Sequence, residues 1–258
     1  MSARRGMTMH GAQLFESWKG VEGGGRVEKE RFKGRVEAVS FDLDGTLIDS
    51  IGTYITIVNQ AFPAVGLPPV PREALLEAIR YGGFDWEKVL PLDIGAQKEA
   101  TIETARKAIL AIYRETFRRE TRMFPGAAEI LHEVARMGYR IGLVTATQRI
   151  FLSDKLHALR MAGAERLLEV MITTDDVERQ KPAPDPLILC AERLQIETSR
   201  MVYIGDSRVD IQAGKAAGSL TVGVLSGVED RDTLVAEEAD HILETVGDLL
   251  PLLEEWRR

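Results

Sequence analysis

Val39-Ser40-Phe41-Asp42-Leu43-Asp44-Gly45-Thr46-Leu47-Ile48-Asp49-Ser50 decides how the rest of this chain is read. Val36, Ala38, Val39 and Phe41 form an apolar, β-prone lead into a Gly-Thr turn, which puts Asp42 and Asp44 at the carboxyl end of a strand. In open α/β sheets ligands bind at that edge. Carboxylates two apart on a strand share a face, and where the chain leaves the sheet they converge on one centre. There they repel, unless a divalent cation and a phosphoryl group share the site and offset the crowded charge. A plainer use also fits: a strand-end turn whose acids cap the next helix, as Asp49-Ser50 is placed to do.

Working outward, residues 36 to 42 read as the first strand and Ser50 through Ala61 as a helix, after which Pro63, Pro68, Pro69 and Pro71 break the chain. Between Pro71 and about Arg122 no strand is indicated. Arg72 to Arg80, Trp86 to Leu90 and Gln97 to Arg119 read as helices, the last with Ile102, Ala105, Ile109, Ile112, Tyr113 and Phe117 on one side. From Phe124 the pattern alternates. Strands are expected at Tyr139 to Thr145, Val170 to Thr173, Met201 to Ile204, Leu220 to Leu225 and Ile242 to Leu243. Helices are expected from Pro125 to the stop at Gly138, and over Ile150 to Leu159, Pro184 to Leu194, Val209 to Ala217 and Val246 to Trp256. This order predicts an α/β fold with a Rossmann-like, doubly wound parallel sheet. It divides into a core of residues 35-51 and 123-258, a small all-helical domain inserted at 52-122, and a flexible Gly-, Arg- and Glu-rich leader at 1-34.

The chain has 258 residues, enough for a large domain or a large and a small one. Its formal net charge of -7, from 33 basic and 40 acidic residues, argues against a nucleic acid bound through a basic face. No apolar run is long enough to span a bilayer and no apolar stretch follows Arg4 and Arg5, so a cytoplasmic location without a membrane partner is expected. Cys190 is the only cysteine and sits in the apolar run Leu187-Ile188-Leu189, where a buried thiol is expected.

Three later strand ends also carry polar groups. Leu143-Val144-Thr145-Ala146-Thr147 brings a hydroxyl after an apolar strand, and Gln180-Lys181-Pro182 holds a lysine against a proline that limits where it points. Tyr203-Ile204-Gly205-Asp206-Ser207-Arg208-Val209-Asp210 sets a glycine and two acids four apart at a helix start. Each piece by itself also reads as an ordinary helix cap or surface group. Together and in order, D-x-D-G-T-L-x-D-S, the Thr145 segment, Lys181 and the Asp206 segment resemble the four motifs of the haloacid dehalogenase (HAD) superfamily, over about residues 36 to 256. The insertion at about 52 to 122 is similar to the helical cap of its phosphoglycolate phosphatase-like branch.

The resemblance implies a magnesium-dependent phosphatase acting on a small phosphorylated metabolite, with 2-phosphoglycolate favoured, as a monomer or homodimer. Asp42 would be the nucleophile that forms an aspartyl-phosphate, and Asp44 the acid and base. Mg2+ would be held by the Asp42 carboxylate, the Asp44 backbone carbonyl and Asp206, with Asp210 in support or as an occasional ligand. Lys181, Thr145 and the Ala146 amide would bind the phosphoryl oxygens. Relatives often carry Asn where this chain has Ala146. In Arg80-Tyr81-Gly82-Gly83-Phe84-Asp85-Trp86, which falls where this branch has a specificity loop, Arg80 is expected to meet a second anionic group of the substrate, or else to end a helix closed by Gly82. Two competitors remain: a phosphomutase of the β-phosphoglucomutase type, and a non-catalytic binding protein on the same fold.

Overall fold

The four residues of β1 (Ala38–Phe41) are all buried, as a central parallel strand must be when helices cover both faces of its sheet. The computed structural model describes residues 36-80, 84-91 and 97-257. The proposed leader and Tyr81, Gly82 and Gly83 lie outside them. Six parallel strands run in the order β3-β2-β1-β4-β5-β6, with β2 at Arg140–Val144, β3 at Val170–Ile172, β4 at Met201–Gly205, β5 at Leu220–Val224 and β6 at His241–Leu243. The order turns back at β1, so the switch point falls between the carboxyl ends of β1 and β4, the crevice where such sheets bind ligands.

Alternation along β1 divides the core. Val39 and Phe41 pack into one buried cluster with Leu131, Leu159 and Trp256, and Ala38 joins the opposite one with Leu187, Cys190 and Tyr203. Cys190 is buried as expected, its thiol pushed up to about 11 by that burial.

Between β1 and β2 the chain is helical: α1 (Ser50–Ala64), α2 (Arg72–Ile79), a 3-10 turn at Trp86–Lys88 and α3 (Lys98–Glu120). Asp49 caps α1 by accepting from the Gly52 amide at 3.2 Å. Pro63 does not stop α1, because it lies one residue from the end and removes a single backbone bond. These helices have apolar clusters of their own: Val58, Phe62, Leu75 and Ala105 in one, Ile57, Tyr113 and Phe117 in the other. Phe151 packs against the second cluster and ties it to the sheet domain.

The remaining helices are α4 (Ala127–Arg136), α5 (Arg149–Lys155), α6 (His157–Met161), α7 (Asp185–Arg193), α8 (Arg208–Ala217), α9 (Arg231–Ala236) and α10 (Leu250–Arg257). Two differ from the sequence reading. The single helix expected over Ile150 to Leu159 is split at Leu156 into α5 and α6, and α9 was not expected. α9 is six residues long, with Leu234 as its buried residue, too short to show a period.

Candidate active site

Asp42 follows β1 directly, and its amide still donates to the Ile204 carbonyl at 2.8 Å, so the sheet ladder fixes its backbone. The carboxylate is buried, and its Oδ1 accepts from Lys181 Nζ at 2.7 Å. Lys181 also donates to Asp210 Oδ1 at 2.6 Å and to the Tyr203 hydroxyl at 3.0 Å, which places one cation between two acids from different loops. Asp210 is set by the start of α8. Its Oδ2 closes a capping box with the Ser207 hydroxyl and amide, which leaves Oδ1 for Lys181 and Tyr203. The helix-cap reading of this segment holds, and the same acid also reaches Lys181.

Asp206, at the end of β4, completes the group: Asp42, Asp206 and Asp210 each offer an oxygen, all within 4.8 Å of one another. Three buried carboxylates against one lysine leave excess negative charge, and all-oxygen donors suit a hard divalent cation. Burial raises the Asp42 carboxyl, Lys181 draws it down, and Asp210 and Asp44 push it up again, to about 7. Asp206 is likewise raised by burial and by the Asp210 and Asp42 charges. Both of the Asp206 oxygens are steered, Oδ1 by the Thr46 hydroxyl at 3.3 Å and Oδ2 by the Val228 amide at 2.9 Å. Glycine makes this approach feasible, since a Cβ at Gly227 would lie 1.8 Å from Asp206 Oδ2, and one at Gly45, which has φ +80°, 2.4 Å from the same atom.

Asp44 borders the same cavity. Its Oδ2 accepts from Lys155 Nζ at 2.6 Å and from the Thr147 hydroxyl at 2.9 Å, whereas its buried Oδ1 has no hydrogen-bond partner. Burial disfavours this carboxylate, but Lys155 and the Ser50 and Thr147 hydroxyls outweigh it and hold the pKa below the usual range. The two acids at i and i+2 thus reach one cavity with different partners.

The cavity, about 300 Å³, is bounded by Asp42, Asp44, Lys181 and Asp206 at one end and by Tyr54, Ile79, Arg80, Phe84, Tyr113 and Phe151 elsewhere. Ala146 and Thr147 belong to its wall. Thr145 is buried beside them, its hydroxyl oxygen accepting from the Thr147 amide at 3.1 Å. Arg80 pairs with Glu77 at 3.1 Å and with the buried Glu229 at 3.4 Å, and its Nε is buried without a hydrogen-bond partner.

Lys155, Thr147 and Tyr203 were not singled out from sequence. A signal for Lys155 did exist: Leu152, Lys155, Leu156 and Leu159 recur at i, i+3, i+4 and i+7, so the lysine lies on the buried stripe, where a cation needs a partner.

The family described as haloacid dehalogenase-like hydrolase matches residues 39–224. The chain belongs to that family. Phosphoglycolate phosphatase from Escherichia coli strain K12 is 34% identical over 236 residues, covering 84% of this chain and 92% of the relative. Among solved structures, a predicted phosphoglycolate phosphatase from Haemophilus somnus 129pt superposes with a TM-score of 0.73 at 23% identity, covering 85% of this chain and 98% of the other, a likeness of fold. A hydrolase from Pseudomonas syringae gives 0.63 at 26% identity over 84% and 98%. This HAD-like hydrolase is thus a phosphatase, a phosphoric monoester hydrolase, on a Rossmann-like α/β core. Its acidic cluster could hold a divalent ion, and among the described residues no helix is long and apolar enough to cross a membrane.

Proposed function

We propose that this phosphatase hydrolyses a small phosphomonoester, 2-phosphoglycolate first among candidates, through an aspartyl-phosphate on Asp42 and with magnesium as its cation. The observation that carries the reading is the division of labour between the two acids after β1: Asp42 lies with Lys181 and the carboxylate cluster, and Asp44 borders the same cavity with Lys155 and Thr147 on one oxygen. A nucleophile needs its charge balanced while it approaches an anion, and Lys181 does that. An acid that serves the leaving group must border the cavity, and Asp44 does, its carboxylate fixed by Lys155 and Thr147.

Magnesium would be held by the Asp42 and Asp206 carboxylates and the Asp44 backbone carbonyl, and its charge would help neutralise the phosphoryl group. Asp210, with both oxygens already engaged, would support the site by fixing Lys181. The Thr145 hydroxyl, which accepts from the Thr147 amide, keeps its own hydrogen free for a phosphoryl oxygen. Residues 52-122 would act as a cap that excludes water and recognises the leaving group. Arg80, at the cavity wall between Glu77 and Glu229, would bind the substrate carboxylate. The identity to a phosphoglycolate phosphatase supports the same substrate.

The test is a panel of phosphate esters in magnesium, ranked by kcat/KM. 2-Phosphoglycolate is expected to lead, and Arg80→Ala to raise its KM by about tenfold, as loss of one charged contact does. Failure of every ester would reject the phosphatase reading. A relocated phosphate in place of free phosphate would assign a phosphomutase.

A further inference from the structure

Lys155 is 3% exposed, and a cation is removed from water at such cost that its surroundings must account for it. Its ammonium donates to Asp44 Oδ2 at 2.6 Å and to the Thr147 hydroxyl at 2.8 Å. On its other side are the ring of Tyr54, at 5.2 Å from the centroid, and that of Phe117, at 5.4 Å. Asp44 and Thr147 belong to the sheet domain, whereas Tyr54 and Phe117 come from α1 and α3 of the inserted helices. The residue before it repeats the arrangement: Asp154, 2% exposed, receives Arg118 of α3 at 2.6 Å. The last turn of α5 therefore touches the helical insertion and the site at once.

Asp44 shows what this contact achieves. A carboxylate turning freely about its Cβ–Cγ bond would offer either oxygen to the cavity. Lys155 and Thr147 hold Oδ2 and so stop that rotation, with Oδ1 kept buried. We propose that Lys155 is a positioning residue, its ammonium clamped between Asp44 and the Tyr54 and Phe117 rings so that the Asp44 carboxylate is fixed in one orientation at the cavity wall while the cap is seated. This rests on the reading of Asp44 as the group that gives the leaving oxygen its proton. In that step the phosphorus–oxygen bond breaks with its electron pair on the leaving oxygen, the proton passes from Asp44 to that oxygen, and the phosphoryl group goes to Asp42.

The experiment compares the wild type with Lys155→Met and Thr147→Val on two esters in saturating magnesium. One is 2-phosphoglycolate, or another alkyl ester of the panel if the wild type prefers it, whose alkoxide needs a proton to depart. The other is p-nitrophenyl phosphate, whose phenolate leaves without one. The quantity is kcat/KM, because it ends at departure of the leaving group and is blind to later hydrolysis of the phosphoenzyme. In Lys155→Met the alkyl-to-aryl ratio is expected to fall by about 30-fold or more, set against the roughly 10²–10⁴-fold that general acid–base catalysis supplies. Thr147→Val should move the ratio the same way by less, and it carries the test if the lysine variant does not fold. Equal losses on both esters, or none, in a folded variant overturn the role, because a merely loosened cap affects both alike. A wild type inactive on both esters would instead sink the phosphatase reading itself.

Discussion

Asp42, the proposed nucleophile, has surroundings that make two outcomes measurable. Asp42→Asn should lower kcat by more than about 1,000-fold, as removal of a nucleophile does. The melting temperature of the metal-free protein should stay equal or rise, because one of three mutually repelling buried acids has been neutralised. Loss of folding by circular dichroism would contradict that. The pH dependence has a definite sign. With its pKa raised from 3.8 to about 7 in the fold, Asp42 binds more protons folded than unfolded between those values. Its contribution to stability is therefore fully present below pH 4 and lost as pH rises through 7. At the proposed site magnesium would compete with the same proton, so the rise in melting temperature on adding it should be larger at pH 8 than at pH 5.5, by differential scanning fluorimetry. An equal rise at both would place the ion elsewhere. At this scale Asp42 and Asp206 were singled out in sequence because each sits where a strand ends, Lys181 because a proline follows it, and Asp210 because it opens a helix. Lys155 was not read, because it lies inside a helix and its partner is 111 positions away.

Elements place these residues, and their loops tolerate little change. The turn after β5 passes so close to Asp206 that a methyl group at Gly227 would meet its carboxylate at 1.8 Å. Gly227→Ala should weaken magnesium binding by about 10–100-fold, the range seen when the groups that orient a ligand are disturbed, with the fold intact. Isothermal titration decides it, and unchanged affinity would show that the turn shifts without moving Asp206. Elements with a long period were readable from the spacing of apolar residues: α3 was placed to within a residue at each end. The split between α5 and α6 at Leu156 was not, because Leu152, Leu156 and Leu159 keep a single apolar stripe across it. α9, one buried leucine in six residues, offers nothing for a pattern to detect.

Across the whole molecule, the helical insertion and the sheet domain meet at a seam of buried acids and half-exposed arginines: Asp154 with Arg118 and Arg114, and Glu229 with Arg80 and Arg208. Arg118→Ala leaves the buried Asp154 with Arg114 at 3.6 Å, so the variant should lose about 1–2 kcal/mol in urea unfolding and raise KM more than it lowers kcat. A loss confined to kcat would show that the seam acts on chemistry rather than on closure. By itself the sequence determined the alternation of strands and helices, the helical insertion and the loops that bear the acids. All three follow from local rules of period, turn and strand end, which act within a few residues. Only the tertiary structure decided which oxygen of Asp44 is held, that Lys155 reaches the site and that Glu229 pairs with Arg80 at its wall. Those pairings join residues about a hundred or more positions apart, where packing and the cost of burying an unpaired charge choose the partner.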